Sequence, residues 1–390
     1  MDTIHNNALR IISGAFITSP VDSLLCELGE LPLNLRRHEL TLSYTARRQA
    51  HQTRQPFIVP VTPTTKANIP FHERKMVSLN LKQMQEFPQI QSKLSKRTPA
   101  WRIPLPNINT QLLSMSKATT NPQLIQADYQ TIMSQYPLHQ KIFTDASKTI
   151  CGVGCAFVTN ETACKFSLHE SATILTGGLY AIYKGLSFIK TAPGKEFLII
   201  KDSLNSLIFL SKIYTHHVLV NMIKEEMNQL DNRKVTLLWV PSHIGISGND
   251  IADKLAREAV EYPACNLSVK ALLMDLKSYF HCKIVEMWNY HWSQEPSKLK
   301  EIKATLYPWN NKATNRFHQV IITRLRLGHT RLTHEYLLRK EPPPKCFTCE
   351  VLVIVKHVLE ECPLFTVERL NNKIPSKLNI FYMFAANSYG

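Results

Sequence analysis

No stretch of this sequence approaches 18 uninterrupted apolar residues, and the densest, around 204–214, is broken by polar residues at short intervals. A membrane-spanning helix needs such a run, so a soluble chain with no membrane partner is expected. No charged-then-apolar leader precedes a small-residue cleavage site, and the nine cysteines form no even disulfide framework. Reduced thiols in an intracellular protein are expected, with cytoplasm and nucleus undistinguished. Internal repeats are also missing. Acid is scarce: 30 Asp and Glu stand against 46 Lys and Arg, a net charge of +16. A balance that basic favours polyanionic partners. Apolar residues make up 44% of the chain, enough to bury real cores, so wholesale disorder is excluded.

At 390 residues the chain is long enough for two or three domains. Its charge is uneven. Residues 1–100 hold 13 basic and 7 acidic side chains and 263–390 hold 18 and 10, whereas 138–262 hold 13 and 12. The basic excess therefore sits in the flanks. Residues 1–52 read as three helices, with Ser19-Pro20 and Pro32 as start signals. Arg36 and Arg37 recur eleven residues later as Arg47 and Arg48. That is close to three helical turns, so the pairs share one face and form a candidate nucleic-acid-binding stripe. Residues 53–137 read as a linker, because 51–137 hold ten of the 22 prolines; short helical pieces are expected near 76–87.

From residue 138 the pattern sharpens. Three strand-like runs, 141–146, 151–160 and 162–168, are followed by a helix carrying Leu179, Ile182, Leu186 and Ile189 at helical spacing. A strand over 196–201, two helices, a strand over 234–240 and a helix over 251–260 complete the order β-β-β-α-β-α-α-β-α. This predicts a mixed five-stranded sheet, antiparallel at first and then parallel, with helices packed on it. Asp145, Asp202 and Asp253 fall where strands end or a helix begins, the usual place for ligands in open α/β sheets. Acids gathered there need a cation, and hard oxygen donors imply Mg2+ or Mn2+. Residues 263–340 read as a helical connection, and 268–293 carry a long apolar stripe.

Cys346, Cys349, His357 and Cys362 give the spacing C-x2-C-x7-H-x4-C within 341–365. Three thiolates and one imidazole form a closed tetrahedral set, the donor pattern of structural Zn2+; His329 and His334 are the alternative ligands. Arg324, Arg326, Arg331, Arg339, Lys340 and Lys345 precede these cysteines, and Arg324, Arg326 and Arg331 are candidate phosphate contacts. Residues 366–390 form a tail.

The stretches KIFTDASKT, IIKDSLNSL and WVPSHIGISGNDIADKLAREA, in this order, resemble the ribonuclease H type 1 domain over residues 140–260. The last stretch looks like the version carried by non-LTR retrotransposon polyproteins. IHNNALRIISGAFITSPVDSLLCELGELPLNLRR resembles the thumb-side end of the reverse transcriptases of those elements, and RLRLGHTRLTHEYLL with the cysteines resembles their zinc-binding tail. The resemblance implies an α/β, RNase H-like sheet over 138–262, a thumb-like helical segment and a small zinc-binding region. It also implies hydrolysis of the RNA strand of an RNA/DNA hybrid by two Mg2+ (or Mn2+) ions. Asp145 would bridge the ions, Asp202 and Asp253 would ligate on either side, and His243 would assist proton transfer or product release. A reverse transcriptase acting in trans is a possible partner. No Tyr/Phe-Ala-Asp-Asp turn is present, so polymerase activity is set aside.

One position departs from the family pattern. The helix after the three-strand meander reads TGGLYAI, which puts Gly178 where the family carries a catalytic Glu. Glycine cannot ligate a metal. Two readings stay open: a hybrid-cleaving hydrolase, and a nucleic-acid-binding module that no longer cleaves.

Overall fold

A computed structural model describes residues 2–50, 102–115, 120–150, 152–230, 232–261, 270–307 and 315–374, with Ile90, Pro99 and Trp309. The helical pieces expected near 76–87 and the tail beyond 374 lie outside the described residues. The chain divides into two compact units, Leu42–Phe280, and Met1–Thr41 with His281–Gly390.

The first unit is built on strands β1 (Asn107–Asn109), β2 (Gln140–Thr149), β3 (Gly152–Val158), β4 (Ala163–Leu168), β5 (Glu196–Lys201) and β6 (Lys234–Trp239). They lie in the order β1-β6-β5-β2-β3-β4. β2, β3 and β4 pair antiparallel, and β2, β5, β6 and β1 pair parallel. Both faces of the parallel part are covered, as such strands require. The two-residue period makes the division visible on β5. Phe197 and Ile199 enter one core with Leu179, Ile182, Leu186 and Leu207, while Leu198 and Ile200 enter another with Ile125, Tyr129, Leu238 and Ile244.

The expected mixed sheet, antiparallel at first and then parallel, therefore holds, with one strand more than the five expected. β1 comes from the stretch read as linker. Prolines 104 and 106 just before it suggested a break, but proline is tolerated at the start of an edge strand, where β1 lies. The same stretch contributes a helix over Pro122–Met133, capped by the Asn121 side chain, which accepts from Gln123 N at 2.9 Å, with proline in its first turn.

Among the described helices, those of this unit are numbered onward from three near the N-terminus: α1 (Asp2–Ser13), α2 (Val21–Leu28), α3 (Leu33–Ala50), α4 (Pro122–Met133), α5 (Ile174–Ile189), α6 (Leu204–Ser211), α7 (Val218–Asn228), α8 (Ser247–Glu261) and α9 (Leu273–Gln294). α8 packs on β2 and β3 through Ala252, Ala256 and Ala259. The approach is so close that a Cβ on Gly154 of β3 would lie 2.1 Å from Ala256 O; only glycine fits there.

The second unit joins sequence ends. Leu24 and Cys26 of α2 share a core with Trp292, Leu299 and Leu327, and Leu9 and Leu25 share one with Trp288. Helices α1 and α2 and the C-terminal helices α10 (Arg316–Leu327) and α11 (Arg331–Arg339) thus belong to one folded body. A last short helix, α12, spans Thr366–Asn371. No described helix is long and apolar enough to cross a membrane.

Candidate active site and metal centre

Asp145 lies inside β2, just past the point where the parallel pairing with β5 ends at Thr144 and Lys201. Asp202 follows directly, its backbone held by Trp239, whose Nε1 donates to Asp202 O at 2.9 Å. The two carboxylates share one cation, but it is a side chain. Lys201 Nζ lies 3.2 Å from Asp145 Oδ1, 3.6 Å from Asp202 Oδ1 and 3.2 Å from Thr144 O. Lys201 is 1% exposed. Burial pushes the Asp145 carboxyl up to about 6, with the Lys201 ammonium pulling against it and the Asp202 charge adding to the rise.

Gly178 sits on α5 beside this group. A Cβ there would lie 2.9 Å from Ser206 Oγ and 3.1 Å from Lys201 Cε. The start of α5 is fixed from two sides: Thr173 caps it, accepting from Thr176 N at 3.2 Å, and the Thr176 hydroxyl donates to Asp275 Oδ2 at 2.7 Å. Burial raises the Asp275 carboxyl, and the two threonine hydroxyls oppose the rise.

Asp253, in α8, is engaged by a different cation. Arg257 grips both its oxygens, Nε to Oδ1 at 3.1 Å and Nη2 to Oδ2 at 2.6 Å. Among the described residues, Asp145, Asp202 and Asp253 do not form a group of three whose ligand atoms lie within 4.8 Å of one another. His243 is exposed on the loop after β6, with φ +54°. Gln126 of α4 holds that loop by donating to Ile244 O. Glu170, the nearest acid before α5 in sequence, accepts from Tyr279 Oη at 2.6 Å.

These residues do not fit a pair of divalent ions. Asp145 and Asp202 carry two negative charges and Lys201 returns one, so the buried group keeps a single net negative charge. A second cation placed among them meets an ammonium at contact distance. Sequence reasoning missed Lys201, although it continues the buried alternation of Phe197 and Ile199. A lysine on the buried face of a strand is the signal that was there. It missed Gln126 because α4 was read as linker.

The cysteine cluster behaves differently. Cys346, Cys349, His357 and Cys362 bring one donor atom each to within 4.8 Å of every other. Cys362 Sγ lies 3.7 Å from Cys346 Sγ and 3.9 Å from Cys349 Sγ. A tetrahedral ion with bonds of about 2.3 Å separates its sulfurs by ~3.8 Å. His357 is 4% exposed, and its Nε2 has no hydrogen-bond partner. His357 draws the Cys346 thiol down to about 6, while burial and the neighbouring thiols push the Cys349 thiol up to about 11, so a second thiolate in the group calls for a cation. A tight turn brings them together: Cys346 N donates to Val351 O at 2.8 Å and Glu350 N to Cys346 O at 2.7 Å, with Glu350 at φ +56°. This donor set fits zinc. His329 and His334 are stacked on each other at 3.7 Å, outside the group.

The basic side chains named from sequence separate into two kinds. Arg326 is 2% exposed, pairs with Glu27 at 3.1 Å and lies 3.9 Å over the Trp309 ring. It is a core ion pair and is corrected as a phosphate contact, since a guanidinium held by a buried carboxylate cannot reach nucleic acid. Arg324 donates to Gly14 O at 2.7 Å and covers the Phe16 ring at 4.6 Å. Arg331 is exposed. All four arginines of the N-terminal pairs lie on α3; Arg36 pairs with Glu39 at 2.6 Å and Arg37 with Asp2, while Arg36 and Arg47 are exposed.

No curated protein matches the chain. Residues 138–261 match the RNase H family model, which supports an RNase H domain over that stretch and, with it, a nucleic-acid hydrolase class of function.

Proposed function

We propose that residues 138–261 bind RNA/DNA hybrids as an RNase H-type domain and no longer cleave them. The observation that carries this reading is the failure of the acids to converge: Asp145 and Asp202 bracket Lys201, Asp253 is gripped by Arg257, and Gly178 supplies no carboxylate. The second reading, a hybrid-cleaving hydrolase, is favoured by the adjacency of Asp145 and Asp202 and by the exposure of His243. Fluorescence anisotropy with a labelled hybrid, run beside a cleavage assay in Mg2+ and in Mn2+, separates the two. The expected result is binding that weakens linearly in log salt, as phosphate contacts require, with cleavage at background. Cleavage by the native chain that disappears in Asp145→Asn selects the hydrolase instead, and absence of hybrid binding defeats both readings.

The family resemblance of the flanks supports a wider proposal. The chain derives from a non-LTR retrotransposon polyprotein, holds one structural zinc at Cys346, Cys349, His357 and Cys362, and has a reverse transcriptase in trans as its candidate protein partner. Exposed Arg36, Arg47 and Arg331 are its remaining candidates for phosphate contact outside the RNase H domain.

A further inference from the structure

We infer that Lys201 is the resident cation of the carboxylate pair: its ammonium stands where a divalent ion would be held, and Gly178 is the residue that makes room for it. The inference rests on reading these acids as the former ion site of an RNase H-type domain.

The ammonium is surrounded by oxygens. Lys201 Nζ donates to Asp145 Oδ1 and to Thr144 O, both at 3.2 Å, and faces Asp202 Oδ1 as an ion pair at 3.6 Å. Lys201 reaches this point from the interior. It is the last residue of β5, on the same face as Phe197 and Ile199, and is 1% exposed. A lysine is almost never that buried without partners. Here the partners are the two acids themselves, so removing the lysine leaves two like charges beside each other in a desolvated place.

Gly178 and Lys201 depend on each other for space. The Lys201 side chain runs past α5 so closely that a Cβ on residue 178 would come within 3.1 Å of Cε and 3.6 Å of Nζ, with Ser206 Oγ at 2.9 Å on the same side. A side chain at 178 fits only if the end of Lys201 and the Ser206 hydroxyl give way by a few tenths of an ångström. A carboxylate at 178 and an ammonium at 201 compete for the same volume, so restoring the acid alone does not restore an ion site. The two positions act as one exchange, in which an acid that helps hold a mobile cation gives way to a cation attached to the chain.

Mn2+ binding to the full zinc-loaded chain, followed by the electron paramagnetic resonance of the free ion and by thermal melting without nucleic acid, tests this. The native chain is expected to bind no Mn2+ that Asp145→Asn removes, and its melting is expected not to move with Mn2+. Lys201→Ala is expected to melt lower than native and to be rescued by about 3 °C at an ion concentration roughly five times its Kd. Lys201→Ala combined with Gly178→Glu is expected to bind Mn2+ about tenfold or more tightly than Lys201→Ala alone. Gly178→Glu alone is expected to gain nothing. If the double variant does not fold, the native chain and the single variants still decide. Mn2+ binding by the native chain that depends on Asp145 overturns the inference, as does recovery of binding in Gly178→Glu with Lys201 in place, or a Lys201→Ala chain that Mn2+ does not stabilise. The readout is independent of hybrid binding. A chain that fails to bind hybrid but shows this Mn2+ pattern loses the proposed function and keeps the assignment of Lys201.

Discussion

The Cys346, Cys349, His357 and Cys362 cluster and the Asp145 and Asp202 pair both read from sequence as metal sites, and the fold treats them differently. In the first, four donors converge within 4.8 Å and a buried imidazole nitrogen points at no other partner. In the second, a lysine at the end of β5 offsets one of the two negative charges from inside. Spacing alone decides the first case, because a short turn fixes where its donors go. The second depends on side chains from β2, β5 and α5, so a substitution on any one of them changes what the acids can hold. A local pattern therefore survives in sequence as a complete site, whereas a distributed one can keep its acids and lose its ion.

The largest expected effect follows from removing the cation that the cysteine cluster requires. A structural zinc contributes on the order of 10 kcal/mol to the folding of a small metal-bound segment. Cys349→Ser, or dialysis against a strong chelator, is expected to unfold residues 345–365 while the sheet of the Leu42–Phe280 unit persists. Metal analysis of the native chain is expected to return one zinc per molecule, and hydrogen exchange locates the loss. Full retention of exchange protection over 345–365 without zinc would break the comparison at its stronger end.

A smaller effect is expected where both members of a buried pair belong to the chain. Glu27 Oε1 meets Arg326 Nη1 at 3.1 Å, and its other oxygen accepts from Trp309 Nε1 at 2.6 Å. Burial raises the Glu27 carboxyl, and Arg326 is the largest influence opposing the rise. Glu27→Gln keeps the shape and leaves the Arg326 guanidinium buried without its counter-charge. Breaking such a pair costs about 3–5 kcal/mol, which urea unfolding measures. An unchanged midpoint would show that the pair is neutral, and that the Lys201 arrangement has no counterpart in the second unit.

The element order of the domain and the cysteine set were legible because each rests on a local pattern: short strand-like runs, the continuous apolar run of β5, four donors within 17 residues. β1 and α4 were not, because proline density was read as a linker although Pro122 is a helix-start signal beside Asn121. Of the three acids expected together, Asp145 and Asp202 face one ammonium and Asp253 pairs with Arg257; Lys201 was invisible, since its contact with residue 178 is a matter of tertiary packing. Arg326 looked like its basic neighbours until Glu27, 299 residues away, was placed beside it. Charge read along a chain says how many cations there are, and only the fold says which of them are already paired.

The smallest expected effect distinguishes the units by acid. His329 and His334 stack at 3.7 Å and are 8% and 7% exposed. Burial pulls both down to about 4, assisted at His329 by the His334 and Lys298 charges and at His334 by Lys298. Their unfolded value is near 6.5, so between 6.5 and about 4 the unfolded chain binds protons that the folded chain refuses. The stability these rings contribute is complete above pH 6.5 and is lost as the pH falls towards 4. Asp145 in the other unit runs the opposite way: with its value raised to about 6, the folded form takes up its proton first, and acid relieves the crowding of the two carboxylates. Acid between pH 6.5 and 4 is thus expected to loosen the unit holding the stacked histidines more than the sheet unit, where His217, buried and pulled down to about 4, adds a single-ring sensitivity of the same sign. Urea unfolding at a series of pH values, with hydrogen exchange to assign each transition and a chromophoric chelator to register zinc release, separates the histidines from the thiolates. His329→Gln combined with His334→Gln is expected to flatten the dependence that remains before zinc is lost. A dependence unchanged in that variant would assign the acid sensitivity to the cysteine cluster alone.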